Sequence, residues 1–277
     1  VTKVNGESVD SVFKLKQVLK NSKNGKIVLT VERNGGVKSM LVQAAKAKAD
    51  GEFKLGLMLK EDVGGVGTLT FVTRDGNFAA LGHHILDADS NLSQTLNQGD
   101  IFNAEVTGVV KGESGKAGGL VADVNRLSKS IGAINANTDI GLYGKYEGEY
   151  GGDLYRIAMK GEAKVGKAQV LTTIDGASPK FYDIDVVKVV SQSVASEKGM
   201  VICVRDKELL DKTGGIVQGM SGSPIVQNGV LIGAVTHVFM QDPTRGYAVH
   251  SRFMYDYANS LTTKNTALCD ETLDLAA

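Results

Sequence analysis

Apolar residues recur along this chain at two spacings, and the change of spacing predicts its elements. Near the N-terminus Val9, Val12, Leu15, Val18 and Leu19 fall at helical spacing, with Lys14, Lys16, Gln17 and Lys20 between them. Ser8 or Asp10 supplies the N-cap of this predicted helix, and Asn24-Gly25 ends it. On either side the period drops to two. Residues 2–6 read as a short strand entering a turn, and Ile27, Leu29 and Val31 alternate with Val28, Thr30 and Glu32. Asn34-Gly35 then marks a hairpin from which residues 37–43 return.

An Ala/Lys stretch over residues 44–50 breaks the pattern and predicts a linker, with a boundary near Asp50. Beyond it nearly everything reads as short β runs between glycine-rich turns: 53–59, 68–72, 78–82, 102–110, 131–134, 141–143, 154–158, 168–174, 181–190 and 200–205. Residues 207–212 read as a short helical turn. Residues 230–239 read as two strands around a turn, 242–246 as another turn, 253–258 as a closing helix and 264–277 as a loose polar tail.

Composition sharpens the class. Of 277 residues, 34 are Gly, 3 are Pro and none is Trp. So many glycines among Val, Ile, Leu and Thr runs point to a mainly β chain with many turns. Formal charge is zero, with 31 basic and 31 acidic residues. Neither a basic arm nor an RNA-binding motif is present, which argues against nucleic acid as a partner. The chain opens inside an element without Met, as expected of a fragment of a longer protein. Cys203 and Cys269 form no disulfide framework and read as unpaired thiols. Lys111 to Lys116 lacks the spacing of a phosphate-binding loop.

Candidate chemistry gathers at two stretches. The first is G-G-I-V-Q-G-M-S-G-S-P-I-V, residues 214–226. A serine hydroxyl is a poor nucleophile unless a base takes its proton and amides hold the oxyanion it creates. Gly219 lets the chain turn so that the Gly219 and Ser221 amides point into one hole. Gly222 keeps the space beside Ser221 open, and Pro224 starts the next strand. The second stretch is G-H-H-I-L-D-A-D, residues 82–89, where a histidine just after an apolar strand offers a general base. Neighbouring residues on extended chain point opposite ways, so only one of His83 and His84 faces a given site. Asp206 precedes the short helical turn and fits its N-cap. A bare G-x-S-G-x-P is also compatible with a hairpin that has no chemistry, and His83, His237 and His250 lack metal-ligand spacing.

The long stretch T-G-G-I-V-Q-G-M-S-G-S-P-I-V-Q-N-G-V-L-I-G-A-V-T-H-V-F-M-Q-D-P-T-R-G-Y, with A-L-G-H before it, resembles the stage IV sporulation protein B (SpoIVB) peptidase family, S55. The strand–turn–helix–strand–hairpin order of residues 1–49 is similar to the C-terminal half of a PDZ domain. The resemblance implies a mainly β chain: a partial PDZ domain at 1–49, then a chymotrypsin/trypsin-like double β-barrel peptidase domain at 50–277. It implies a serine endopeptidase with Ser221 as nucleophile, His83 as base and Asp206 as the acid, with Asp87 and Asp89 as rivals for that last role. Gly219, Ser221 and Met220 would form the oxyanion hole, and Thr236, His237 and Val238 would pair with substrate backbone. No metal or organic cofactor is implied.

The family is described as secreted across the inner forespore membrane, into the space between forespore and mother cell, with the full-length protein membrane-anchored before processing. It cuts a membrane-bound regulator of an intramembrane protease, which leads to activation of sigma-K, and it cuts itself. An incomplete PDZ unit would leave a sheet edge open to homodimerisation. The competing reading is a non-catalytic protease-like scaffold that captures peptides.

Overall fold

The structure, a computed structural model, describes residues 1–9, 12–22, 24–33, 36–47, 51–57, 65–82, 99–124, 128–149 and 151–270. The chain divides into two compact units, Val1–Gly64 and Gly65–Ala277.

In the first unit, β1 (Lys3–Val4), β2 (Glu7–Ser8), β3 (Lys26–Arg33) and β4 (Gly36–Gln43) form an antiparallel sheet in the order β2-β1-β3-β4. The predicted helix is α1 (Val12–Lys20), whose Leu15 and Leu19 are buried one turn apart against Val4, Ile27 and Leu29. Asn5, at positive φ, closes the first turn, and its Oδ1 accepts the Val28 amide at 2.8 Å.

Of the residues expected to form a linker, the described ones, 44–47, join this unit's packing and pairing. Ala44 is buried, and its amide donates to the Gly25 carbonyl. The strands β5 (Ala45–Lys46) and β6 (Phe53–Lys54) pair with each other, and Phe53 and Leu55 pack on the same core. Alanine and lysine made the stretch look solvated, but one methyl at Ala44 is enough to join a small core.

The second unit is mainly β and has two halves. The first half is an open half-barrel. It holds β7 (Gly67–Val72), β8 (Asn77–Gly82), β9 (Gly99–Ile101), β12 (Gly132–Thr138) and β13 (Gly141–Tyr146), in the order β7-β8-β13-β12-β9. A separate hairpin, β10 (Ala104–Val110) with β11 (Gly119–Val124), stands beside it in the chain.

The other half contains β14 (Arg156–Ile157), β15 (Gly166–Thr172), β16 (Lys180–Val189) and β17 (Met200–Val204). After α2 (Lys207–Thr213) it continues through β18 (Pro224–Gln227), β19 (Val230–Phe239) and β20 (Asp242–His250). Six of these close on themselves as β19-β18-β15-β16-β17-β20, because β20 also pairs with β19. Val170, Ile184, Ile202, Ile225 and Ile232 fill the interior. The whole is a mainly β, double-barrel protease architecture.

The last helix, α3 (Ser251–Asp270), joins the halves. Met254 and Ala258, four residues apart, are fully buried against Ala79, Leu81 and Tyr143 of the half-barrel and Ala234 and Val249 of the closed barrel. Tyr257 stacks on Tyr143 at a centroid distance of 4.4 Å. Burial pushes the Tyr143 phenol up, so it stays neutral and donates to the Ile140 carbonyl.

Three expectations change. Residues 230–239 are one strand, not two around a turn. Gly233 is there for space: a Cβ on it would lie 2.2 Å from the Val249 carbonyl oxygen. Residues 242–246 belong to β20 instead of a turn. The closing helix is longer than 253–258 and includes part of the expected polar tail. No helix among the described residues is long and apolar enough to cross a membrane.

Candidate active site

The serine loop leaves α2 through a buried knot. Thr213 Oγ1 contacts the Leu209 carbonyl at 2.7 Å and the Gly215 carbonyl at 2.6 Å, and accepts the Gly215 amide at 3.2 Å. Gly214 is the left-handed C-cap, returning its amide to Leu210. The loop is then braced from two sides. The Gln218 amide donates to Gly118, and the Leu120 amide donates to Gln218. Thr68 Oγ1 donates to the Gly219 carbonyl at 3.1 Å, Thr70 Oγ1 to the Gly222 carbonyl at 2.8 Å, and the Thr68 amide to the Ser221 carbonyl at 3.1 Å.

These bonds leave a particular pair of donors unused. Gly219 and Gly222 both have positive φ, 98° and 92°. Among the described residues, neither the Gly219 amide nor the Ser221 amide has an acceptor. Two unengaged amides flanking a serine are what an oxyanion requires. The Met220 amide differs from expectation: it donates to the Val217 carbonyl at 3.1 Å and is already committed.

Ser221 is 7 % exposed, and its Oγ donates to the Thr236 carbonyl at 2.9 Å. Thr236 in turn donates its hydroxyl to the Glu197 carbonyl. β18 pairs with β19 only as far as Pro224↔Ala234. Past Val235, which exchanges bonds with Gly222 and Ser223, no described strand lies on the serine side of Thr236, His237 and Val238. His237 is exposed, with Nδ1 4.0 Å from Glu197 Oε2.

The end of β8 lies against this loop. A Cβ placed on Gly222 would lie 2.3 Å from the Thr68 carbonyl oxygen and 2.8 Å from the Leu81 amide nitrogen. His83, His84, Asp87 and Asp89 lie outside the described residues.

Asp206 is held elsewhere. It is the N-cap of α2, with Oδ1 accepting the Leu209 amide at 3.0 Å and Oδ2 lying 3.5 Å from the Asp183 amide. Met200, Ala248 and Val235 lie in one row, beside the serine loop. The structure therefore brings together Ser221, Gly219 and Thr236, and gives Asp206 the N-cap of α2.

Sequence reasoning missed Thr68, Thr70 and Thr213, whose hydroxyls set the loop. Threonine on a strand is ordinary, and only the folded pairing shows its acceptor. The other histidine, His250, has Nε2 3.0 Å from the Val190 carbonyl oxygen. Among the described residues no group of three or more His, Cys, Asp or Glu could hold a metal ion. Cys203 is buried and unpaired.

The model of the SpoIVB peptidase S55 family matches residues 51–255. No curated protein matches the chain.

Proposed function

The chain belongs to the SpoIVB peptidase S55 family of serine-type peptidases, and on that premise we propose that it is an endopeptidase of sporulation signalling with Ser221 as nucleophile and His83 as base. One observation carries the reading. The loop that carries Ser221 and the unengaged Gly219 and Ser221 amides packs through Gly222 against the backbone of Leu81, two residues before position 83 in the chain. The odd positions of β8, Ala79 and Leu81, belong to the cluster shared with Ala234 and Val249. His83 is the next odd position in the sequence, which favours it over His84.

In this mechanism the Ser221 hydroxyl leaves the Thr236 carbonyl and attacks the scissile carbonyl carbon. The His83 imidazole takes its proton and later returns it to the leaving amine. The Gly219 and Ser221 amides hold the oxyanion. Water then releases the acyl group from Ser221 by the same route. The open side of β19 at Thr236–Val238 receives substrate backbone as an added strand. The proposal extends to the substrate: a membrane-bound regulator whose cutting leads to sigma-K activation, and the chain itself. It also places the protein outside the inner forespore membrane, with a partial PDZ domain at 1–49.

Intact-mass analysis after fluorophosphonate treatment, followed by peptide mapping, tests the reading. A single adduct on Ser221 is expected. Ser221→Ala and His83→Ala should lose it while far-UV circular dichroism is unchanged. Absence of an adduct on folded wild-type protein, or an adduct that persists in Ser221→Ala, overturns it.

A further inference from the structure

A cavity of about 330 Å³ opens on the closed barrel, and none of the residues that line it belongs to the serine loop or to Thr236–Val238. One carbonyl organises it. The Leu231 carbonyl of β19 accepts the Ala158 amide at 2.9 Å and the Ser251 hydroxyl at 2.7 Å. This pair of bonds sets the turn after β14 beside the first residue of α3. Another wall is Val190 to Gln192, where the chain leaves β16, and it is pinned from β20 and α3. His250 Nε2 lies 3.0 Å from the Val190 carbonyl oxygen, and Arg252 Nη2 donates to the Gln192 carbonyl at 2.8 Å. Ala158, Ala163 and Ile232 are buried and give the cavity an apolar lining.

The charge of the lining has one sign. Lys160, Lys164 and Arg252 line the cavity, and no Asp or Glu does. Among the described residues these three have no carboxylate partner. The acid between the two lysines, Glu162, is turned to Arg156, whose Nη1 and Nη2 donate to it at 2.7 and 3.0 Å. The start of α3 adds to the positive field. Its first turn has no acidic side chain, and a helix start carries partial positive charge and amides without intrahelical partners. Three cations and a helix start beside apolar side chains suit a carboxylate attached to an apolar group. One further atom narrows the ligand. Gln192 Oε1 is buried with no hydrogen-bond partner among the described residues. Buried polar groups nearly always have one, so a donor is missing at this wall. The last residue of a peptide offers a carboxylate, a side chain and an N–H together.

We propose that this cavity binds the C-terminal carboxylate of a peptide that ends in an aliphatic residue. The carboxylate meets Arg252, Lys160 and Lys164. The last side chain lies on Ala158, Ala163 and Ile232, and the last amide N–H serves Gln192. The volume suits a terminus and not a long segment, since it is at the small end of ligand sites, which start at about 300 Å³. The site goes beyond the peptidase reading and does not rest on it.

The test is isothermal titration of the full chain carrying Ser221→Ala, so that the probe is not cut. The probe is acetyl-Ala-Ala-Leu as the free acid, beside its C-terminal amide, 4-methylpentanoate and inorganic phosphate. The acid should bind, and the amide should bind about ten-fold more weakly or worse, having lost its charge-assisted contacts. 4-Methylpentanoate keeps the carboxylate and the leucine carbon skeleton without the N–H, and it and phosphate should also be about ten-fold weaker. Arg252→Gln and the double variant Lys160→Gln/Lys164→Gln should each weaken the acid by about ten-fold. Both lysines are exposed, so the double variant keeps the fold even if Arg252→Gln, which also loses the bond to the Gln192 carbonyl, does not. Equal affinity for acid and amide overturns the proposal, and so does binding that the double lysine variant leaves unchanged. Phosphate or 4-methylpentanoate binding as tightly as the acid overturns it too, since the site would then be one for anions or acyl carboxylates and not for a peptide terminus.

Discussion

Leu81 runs across Gly222 so closely that a Cβ on the glycine would lie 2.8 Å from the Leu81 amide nitrogen and 2.9 Å from its carbonyl oxygen. The Thr68 carbonyl oxygen would be nearer still, at 2.3 Å. All three atoms are backbone of paired strands and cannot swing aside as a side chain could. Gly222 also sits at a φ of 92° and passes its amide to Val235 and its carbonyl to Thr70. Gly222→Ala should therefore destabilise the protein on the order of 2–5 kcal/mol, from overpacking and backbone strain together. The midpoint of urea unfolding should fall at constant m-value, with Ser221 labelling lost. An unchanged midpoint would mean the two halves do not meet here as described.

The knot before the loop makes a second prediction. Thr213 is fully buried, and its one hydroxyl serves Leu209, the Gly215 carbonyl and the Gly215 amide. Valine keeps the shape and strands these groups without a partner. Thr213→Val should cost about 1–3 kcal/mol, the range for leaving buried polar groups unsatisfied. Thr213→Ser, which keeps the hydroxyl, should recover most of it. Thermal unfolding of the pair checks this, and equal melting temperatures for the two variants would refute it.

How far the sequence reached follows from range. The serine loop was legible because its turn, its glycines and its following strand all lie within 13 residues, 214–226. α1 and the β3–β4 hairpin were legible for the same reason. Gly233 misled because a glycine that makes room for Val249 looks the same in sequence as one that turns the chain. Asp206 was read correctly as a potential N-cap. Its expected catalytic role came from the family resemblance, and the structure shows its carboxylate at the N-cap of α2.

The cap itself is testable apart from catalysis. Asp206 Oδ1 accepts the Leu209 amide, one of the donors that the first turn of α2 leaves unpaired. Asp206→Ala should lower stability by about 1 kcal/mol, and Asp206→Asn should be close to neutral, because asparagine caps nearly as well. Amide exchange at Leu209 gives the local readout: faster in the alanine variant, near wild type in the asparagine variant. Equal protection in Asp206→Ala would remove the capping assignment.

Gly219 separates binding from chemistry. Its φ of 98° is a conformation that an L side chain rarely adopts, and a Cβ there would press on Leu120 at 3.1 Å. Alanine at this position has to rotate the peptide, which turns the unengaged Gly219 amide away from its present direction. The Thr236–Val238 edge, where substrate backbone would lie, is on another strand and should be undisturbed. Gly219→Ala should thus lower kcat by about 100- to 1,000-fold, the loss expected for one oxyanion donor, with KM changed little. The Thr68 hydroxyl bond to the Gly219 carbonyl supplies a control, since Thr68→Val loosens the same peptide without adding a Cβ and should produce a smaller loss in the same direction. Steady-state kinetics on a peptide substrate distinguishes the outcomes: a rise in KM at constant kcat would assign Gly219 to substrate binding and leave the oxyanion without its first donor.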